Sequence, residues 1–115
     1  MRVANAPASR ARRKARLEFA KGFYGARSKL FRTATEAVDR AMRLSTEHRK
    51  LKKRDFRQLW IARVNAAARA EGISYSKFMA GLIKAGVTLN RKMLSEIAIR
   101  DNAGFKTLVD IAKNA

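Results

Sequence analysis

Arginine and lysine are the residue types through which this chain could do chemistry. The chain holds 27 Lys and Arg against 9 Asp and Glu, which gives a formal net charge of +18 over 115 residues. An arginine fork meets phosphate oxygens bidentately, and each neutralised phosphate releases condensed counterions, the main driving force of nucleic-acid binding. Because self-repulsion at this charge density disfavours a compact chain, the composition indicates a polyanionic partner.

The basic residues form two clusters, and we expect both to bind phosphates. In the second cluster, residues at offsets of three, four and seven share one helix face. The alternative for any single residue is a solvated basic side chain, although ordinary solubility does not require this density. The first cluster is Arg10, Arg12, Arg13, Lys14, Arg16, Lys21, Arg27, Lys29 and Arg32, and the second is Arg49, Lys50, Lys52, Lys53, Arg54 and Arg57.

A short segment inside the first cluster, residues 21–28, combines two glycines with two aromatic residues. Gly22 and Gly25 allow the backbone to turn sharply and to approach another surface closely. Phe23 or Tyr24 could then stack on an unpaired base or a ribose. The alternative is a helix break whose aromatic residues pack against the arm itself, and composition leaves both readings open.

Catalysis, metal binding and membrane insertion find little support in the sequence. The chain has no cysteine and one histidine, His48, and its acidic residues are scattered. General acid–base and metal chemistry need clustered titratable groups, and no phosphate-binding glycine motif follows a strand. The longest uncharged apolar run, Phe78 to Ile83, is too short to cross a bilayer. We therefore expect no enzyme activity, no cofactor, no metal, no small-molecule substrate and no membrane partner.

The periodicity predicts an all-α fold with a long basic N-terminal helical extension. After a cap at Ser9, a basic helix is expected from Arg10 to about Lys21. From Ala26 to Ala70 there is no Gly or Pro, and apolar residues recur at helical spacing, so we predict helix throughout. Its weakest point is Leu44 to His48, where a bend could occur. Two ion pairs at i, i+4, Glu36 with Arg40 and Asp39 with Arg43, are expected to support this helix.

The sequence that follows Ala70 predicts a small C-terminal helical bundle of three short amphipathic helices. Gly72 and Gly86 fit helix ends, and Ser74, Asn90 and Asp101 fit helix N-caps. The expected apolar stripes are Tyr75, Phe78, Met79, Leu82 and Ile83, then Met93, Leu94 and Ile97, then Phe105, Leu108, Val109 and Ala112. Residues 1–63 carry a net charge of +14 and residues 64–115 only +4. We therefore predict a basic helical arm over 1–63 that binds phosphates and a globular helical domain over 64–115.

Three segments in the right order closely resemble the bacterial large-subunit ribosomal protein family numbered twenty. They are Lys-Gly-Phe-Tyr-Gly-Ala-Arg-Ser at 21–28, the run from Lys53 to Arg69, and Gly72 to Phe78. The resemblance extends from about Arg10 to the C-terminus. It implies a structural component of the large subunit, in the cytoplasmic ribosome, that contacts 23S rRNA and neighbouring ribosomal proteins and is needed early in subunit assembly.

The resemblance also implies where the rRNA contacts lie. They would fall on Arg10 to Arg16, on Lys21 to Ser28, and on the basic face from Arg49 to Arg63. This adds Ser28 and Arg63 to the two clusters. The chain departs from the family pattern at Leu44 to His48, where family members often have aromatic and basic residues, and at Glu18, in a segment that is usually basic. Met1 to Ser9 is assigned no role.

Two other functions fit the charge less well. A DNA-binding protein of the helix-turn-helix type would read base edges with a short C-terminal helix, but those helices carry few basic or amide groups. A membrane-active cationic helix would need a strongly apolar face, whereas the apolar positions of the arm are largely alanine.

Overall fold

The computed structural model describes residues 4–115, and these residues contain six α-helices and no strand. The predicted all-α fold is therefore confirmed. Along the chain the helices are α1 (Ala6–Glu18), α2 (Ala26–Lys29), α3 (Phe31–Ala70), α4 (Tyr75–Lys84), α5 (Arg91–Arg100) and α6 (Asn102–Asn114). They form two compact units, the first ending at Lys50 and the second beginning at Leu51, within α3. The predicted functional boundary after Arg63 stays a prediction.

The first unit has a very small core. Ala20, Ala34 and Val38 are buried, and Leu17 and Phe23 pack partly buried against them. With Ala37, which is also buried, three of the four buried apolar side chains described in this unit are single methyl groups, so little apolar area leaves water here. This unit is therefore held together weakly for its size.

The start of α1 differs from the prediction. The helix begins at Ala6, not at Arg10, and Ser9 lies inside it, so the prediction of Ser9 as a cap was wrong. Asn5 occupies the N-cap position without a side-chain hydrogen bond, and Pro7 lies in the first turn. Proline suits that place because its fixed φ is helical and its missing N–H would have no partner there. The helix also ends earlier than predicted, at Glu18.

The predicted helix from Ala26 to Ala70 is interrupted at Leu30, which has φ −83° and ψ 119°. The single extended residue loses no backbone hydrogen bond. Its N–H donates to the carbonyl of Ala26 at 2.9 Å, and its carbonyl accepts from the N–H of Ala34 at 2.7 Å. Since both polar groups are satisfied without glycine or proline, composition carries no signal for this break.

Leu44 to His48, the expected weak point, is helical throughout. Side chains on this stretch bond one turn away: the Thr46 hydroxyl donates to the carbonyl of Met42 at 3.2 Å, and Arg43 pairs with Glu47 at 3.3 Å. The two predicted ion pairs, Glu36 with Arg40 and Asp39 with Arg43, do not form. Asp39 pairs with Arg16 of α1 instead.

The second unit has a larger core, to which the end of α3 and all three short helices contribute. Its buried residues are Val64, Ala68, Ile73, Phe78, Leu82, Leu94, Phe105, Val109 and Ala112. The rings of Phe78 and Phe105 lie 5.2 Å apart, in the range where aromatic pairs add to burial. Two members of the predicted stripes are exposed: Ile83 at 72% and Met93 at 49%.

The predicted ends of the short helices are confirmed. Ser74, Asn90 and Asp101 each accept a hydrogen bond from the backbone N–H three residues later, and this satisfies one of the free donors of the first turn. Gly72 and Gly86 have φ values of 75° and 73°, the left-handed conformation that ends a helix most easily at glycine.

Gly81 brings α4 and α6 together, a role that the sequence did not indicate. It is buried, and a Cβ built on it would lie 2.7 Å from the Cα of Ala112 and 2.8 Å from its carbonyl carbon. Both atoms belong to the backbone, so the clash cannot be relieved by a side-chain rotation. The absence of a side chain at this position is what allows the two helices to approach.

Gly81→Ala should therefore destabilise the second unit, although alanine is the better helix former. We expect a loss of about 2 kcal/mol in the free energy of unfolding, as for other overpacked cores. Ser76→Ala, on the exposed side of the same helix, should change it by less than about 0.5 kcal/mol. Urea unfolding followed by circular dichroism measures both, and equal stability of the two variants would contradict the packing described here.

The two cores also predict different local stabilities in the free protein. Amides of α1 should exchange with solvent faster than amides of α4 and α6, because opening the first unit exposes far less apolar area. Hydrogen exchange read by mass spectrometry tests this. Strong, equal protection across Arg10 to Arg40 and across the second unit would show that the small core is not the limiting feature.

Candidate nucleic-acid interface

The first basic cluster lies mostly on α1, and most of its side chains are exposed. Arg10, Arg12, Arg13 and Lys14 have no carboxylate partner among residues 4–115, while Arg16 is partly buried in its pair with Asp39. The Arg13 guanidinium also lies 5.7 Å from the centre of the Phe31 ring. Four cations of this helix therefore remain available to an external anion.

Glu18 is the one acidic residue of α1, and its negative charge is balanced locally. Its carboxylate accepts a hydrogen bond from the ammonium group of Lys21, and this bond and the positive charge of Lys21 lower the pKa of Glu18. The carboxylate therefore stays ionised at neutral pH. Lys21 and Arg16 are the two predicted RNA-binding residues whose charge is already paired within the described chain.

The two aromatic residues of the segment 21–28 lie in different environments. The sequence could not show which of the two packs and which is exposed. Gly22 and Gly25 both have positive φ, at 92° and 61°, as the predicted sharp turn requires. Phe23 packs on the small core, with the Arg27 guanidinium 5.6 Å from its ring centre. Tyr24 is 94% exposed. Phe23 thus anchors the turn, and Tyr24 is presented to solvent.

The other predicted residues near this turn are placed as follows. Ser28 donates from its hydroxyl to the carbonyl of Gly25 at 2.9 Å, which fixes the start of α2. Arg27, Lys29 and Arg32 are exposed. None of these three cations pairs with a carboxylate in the part of the chain that is described, so they extend the supply of free positive charge beyond α1.

The second basic cluster lies entirely on α3 and is exposed. Arg49 and Lys50 end the first unit, and the others belong to the second unit: Lys52, Lys53, Arg54, Arg57 and Arg63. No carboxylate within the described range pairs with any of them. Within the second unit, Lys53, Arg54 and Arg57 share a helix face by their spacing of one turn.

An aromatic pair accompanies this cluster in the second unit. The rings of Phe56 and Trp60 lie 6.3 Å apart, and the Lys52 ammonium lies 5.8 Å from the centre of the Phe56 ring. Trp60 is only half-buried and is not part of the main core. The pair is therefore accessible beside the lysine and arginine side chains.

Across residues 4–115 no group of three or more His, Asp or Glu is placed to hold a metal ion. The same residues contain no helix that is long and apolar enough to cross a membrane. The features that remain are exposed arginine and lysine side chains, together with a few exposed aromatic rings. Such surfaces contact phosphates through the cations and bases or riboses through the rings.

Comparison with known proteins points to one family. Residues 2–108 match the family described as "Ribosomal protein L20". A protein of Clostridium botulinum (strain Hall) named "Large ribosomal subunit protein bL20" is 60% identical over 112 residues, which cover 97% of this chain and 94% of that protein. A protein of Opitutus terrae with the same name is 56% identical over 114 residues, covering 99% of this chain and 90% of its own length.

The different positions of Phe23 and Tyr24 give a direct test of the turn. Phe23→Ala should lower the free energy of unfolding of the first unit by about 2 kcal/mol, because a half-buried ring leaves the small core. Tyr24→Ala should change it by less than about 0.5 kcal/mol. Faster hydrogen exchange over residues 34–38 reports the loss, and a similar acceleration in both variants would mean that Tyr24 also packs.

Proposed function

Because this chain belongs to the ribosomal protein L20 family and is thus a protein of the large ribosomal subunit rather than an enzyme, we propose that it binds 23S rRNA directly. We propose further that it promotes early subunit assembly by neutralising rRNA phosphates. The observation that carries this proposal is the excess of exposed arginine and lysine side chains on α1 and α3 with no carboxylate partner.

The contact residues proposed for rRNA are the two basic clusters and the turn between α1 and α2. Exposed arginines donate bidentately to phosphates, and the glycine turn allows the backbone to approach the sugar–phosphate chain closely. Arg16 and Lys21 must exchange or share their carboxylate partners to take part. The set is Arg10, Arg12, Arg13, Lys14, Arg16, Lys21, Gly22, Phe23, Tyr24, Gly25, Arg27, Ser28, Lys29, Arg32, Arg49, Lys50, Lys52, Lys53, Arg54, Arg57 and Arg63.

The assembly role follows from the same electrostatics. RNA helices repel each other through their phosphates, and a protein that brings many cations between them lowers the cost of their approach. A first unit with so small a core gains its order from that environment, so binding and ordering reinforce each other. Neighbouring large-subunit proteins are the remaining expected partners, through surfaces that rRNA leaves open.

The DNA-binding alternative receives less support from the second unit. On α5, Arg91 donates to the hydroxyl of Tyr75 at 2.9 Å, and Arg100 pairs with Glu96 at 3.0 Å. A recognition helix needs such side chains free to reach base edges in the major groove. Besides these two arginines, α5 carries Lys92 as its one other basic residue and no Asn or Gln, so it offers few groups to base edges.

Binding that rests on counterion release must depend steeply on salt. If about ten phosphates are engaged, the logarithm of the affinity for a 23S rRNA transcript should fall with the logarithm of salt concentration at a slope of roughly −7 to −9. Arg54→Gln with Arg57→Gln should make that slope less negative by about 1.5. Filter binding over a salt series measures both values.

A matched double variant controls for the loss of net charge. Arg43→Gln with Arg100→Gln also removes two positive charges, but these arginines already pair with Glu47 and Glu96. It should leave the slope within about 0.5 of the wild-type value. Salt-insensitive binding of the wild-type chain, or stronger binding to duplex DNA than to the transcript, would refute the proposal.

A further inference from the structure

We propose that a groove in the first unit, beside the end of α1, holds one unpaired nucleotide of the bound RNA. The groove has a volume of about 450 Å³ and lies between the Phe19 and Phe23 rings and one face of α3. Its α3 side is formed by Met42, Ser45, Thr46 and Arg49 among others. The inference rests on the proposed rRNA binding and names a site within it.

The apolar part of the groove offers a flat face to a base. Phe19 is 64% exposed and Met42 is 43% exposed, although both belong to residue types that usually avoid water. Phe23 also lines the groove, and its ring packs partly buried against the small core. Stacking on an aromatic ring suits any base, because every base has a π face.

The polar part of the groove holds an arginine in a defined direction. Arg49 donates from Nη1 to Oγ of Ser45 at 2.6 Å and from Nη2 to Oγ1 of Thr46 at 3.2 Å. The Thr46 hydroxyl in turn donates to the carbonyl of Met42, which leaves its lone pairs for Arg49. A guanidinium carries five N–H donors, so those that remain can face a phosphate.

The charge of the groove selects the occupant. Arg49 has no carboxylate partner among the described residues, so an occupant must bring the anion. An unpaired nucleotide combines a flat apolar base with a phosphate at the distance of one sugar, and it therefore fits both parts at once. An apolar side chain of another protein would fill the ring face but would leave the oriented arginine without an anion.

Both hydroxyls that hold Arg49, those of Ser45 and Thr46, lie in the segment Leu44 to His48, which is outside the contacts that the sequence predicts. The sequence alone therefore did not indicate this site. Phe19 and Met42 were likewise absent from the expected contacts.

Three substitutions in the full chain test the site against a 23S rRNA transcript. Phe19→Leu keeps the apolar area but removes the ring face, and it should weaken binding about fivefold or more without changing the salt slope. Phe19→Tyr should restore the affinity. Arg49→Lys keeps the charge but loses the fork and should also weaken binding about fivefold. The matched control is Arg43→Lys, the same change on the same helix at an arginine that pairs with Glu47 and lies outside the proposed contacts, and it should bind within about twofold of wild type.

Ultraviolet crosslinking with mass spectrometry supplies the direct readout, namely a nucleotide adduct on the peptide that contains Phe19. Circular dichroism verifies that each variant is folded. Wild-type affinity in both Phe19→Leu and Arg49→Lys, without such an adduct, would overturn the site and leave the groove to a side chain of another protein. If the wild-type chain itself fails to bind the transcript, the proposed function fails, which is a different result.

Discussion

The constraint on which this molecule depends is the mutual repulsion of its cations. Ion pairs in the described chain engage a few arginines and lysines, such as Arg16 with Asp39 and Lys106 with Glu71, and most of the others face solvent alone. Exposed pairs of this kind contribute little to stability. The favourable electrostatic energy that balances the repulsion must come from outside the chain, and the phosphates of the proposed rRNA partner would supply it.

The two units differ in the size of the apolar side chains that they bury. In the second unit the apolar residues are large and close together, and a polar cross-connection ties its last helix to the end of α3: Lys113 donates to the carbonyl of Glu71 at 3.0 Å. In the first unit the buried residues are small, and the large apolar side chains Phe19 and Tyr24 are exposed. Apolar surface that is not used for a core remains available to a ligand.

Local chemistry made much of this fold predictable. The caps at Ser74, Asn90 and Asp101 and the helix ends at Gly72 and Gly86 are signals carried by single residues, and the structure confirms them. Leu30 and Gly81 were not predictable in this way. The break at Leu30 keeps all its hydrogen bonds, and the role of Gly81 depends on its contact with Ala112 in α6, which is distant in the sequence.

The basic part of the candidate interface could be read from composition, because the number of charged side chains in a segment does not depend on how the chain folds. Its apolar part could be read only in part, because the sequence offered Phe23 or Tyr24 as a stacking ring without deciding between packing and exposure, and it did not indicate Phe19. Only the packing of Phe23 on Ala20 and Val38 shows that one ring of the turn is structural and that Phe19 and Tyr24 are free. The residues that would give such a surface its selectivity are therefore the exposed rings of Phe19 and Tyr24, which do not belong to the small core. A larger core would leave fewer rings exposed.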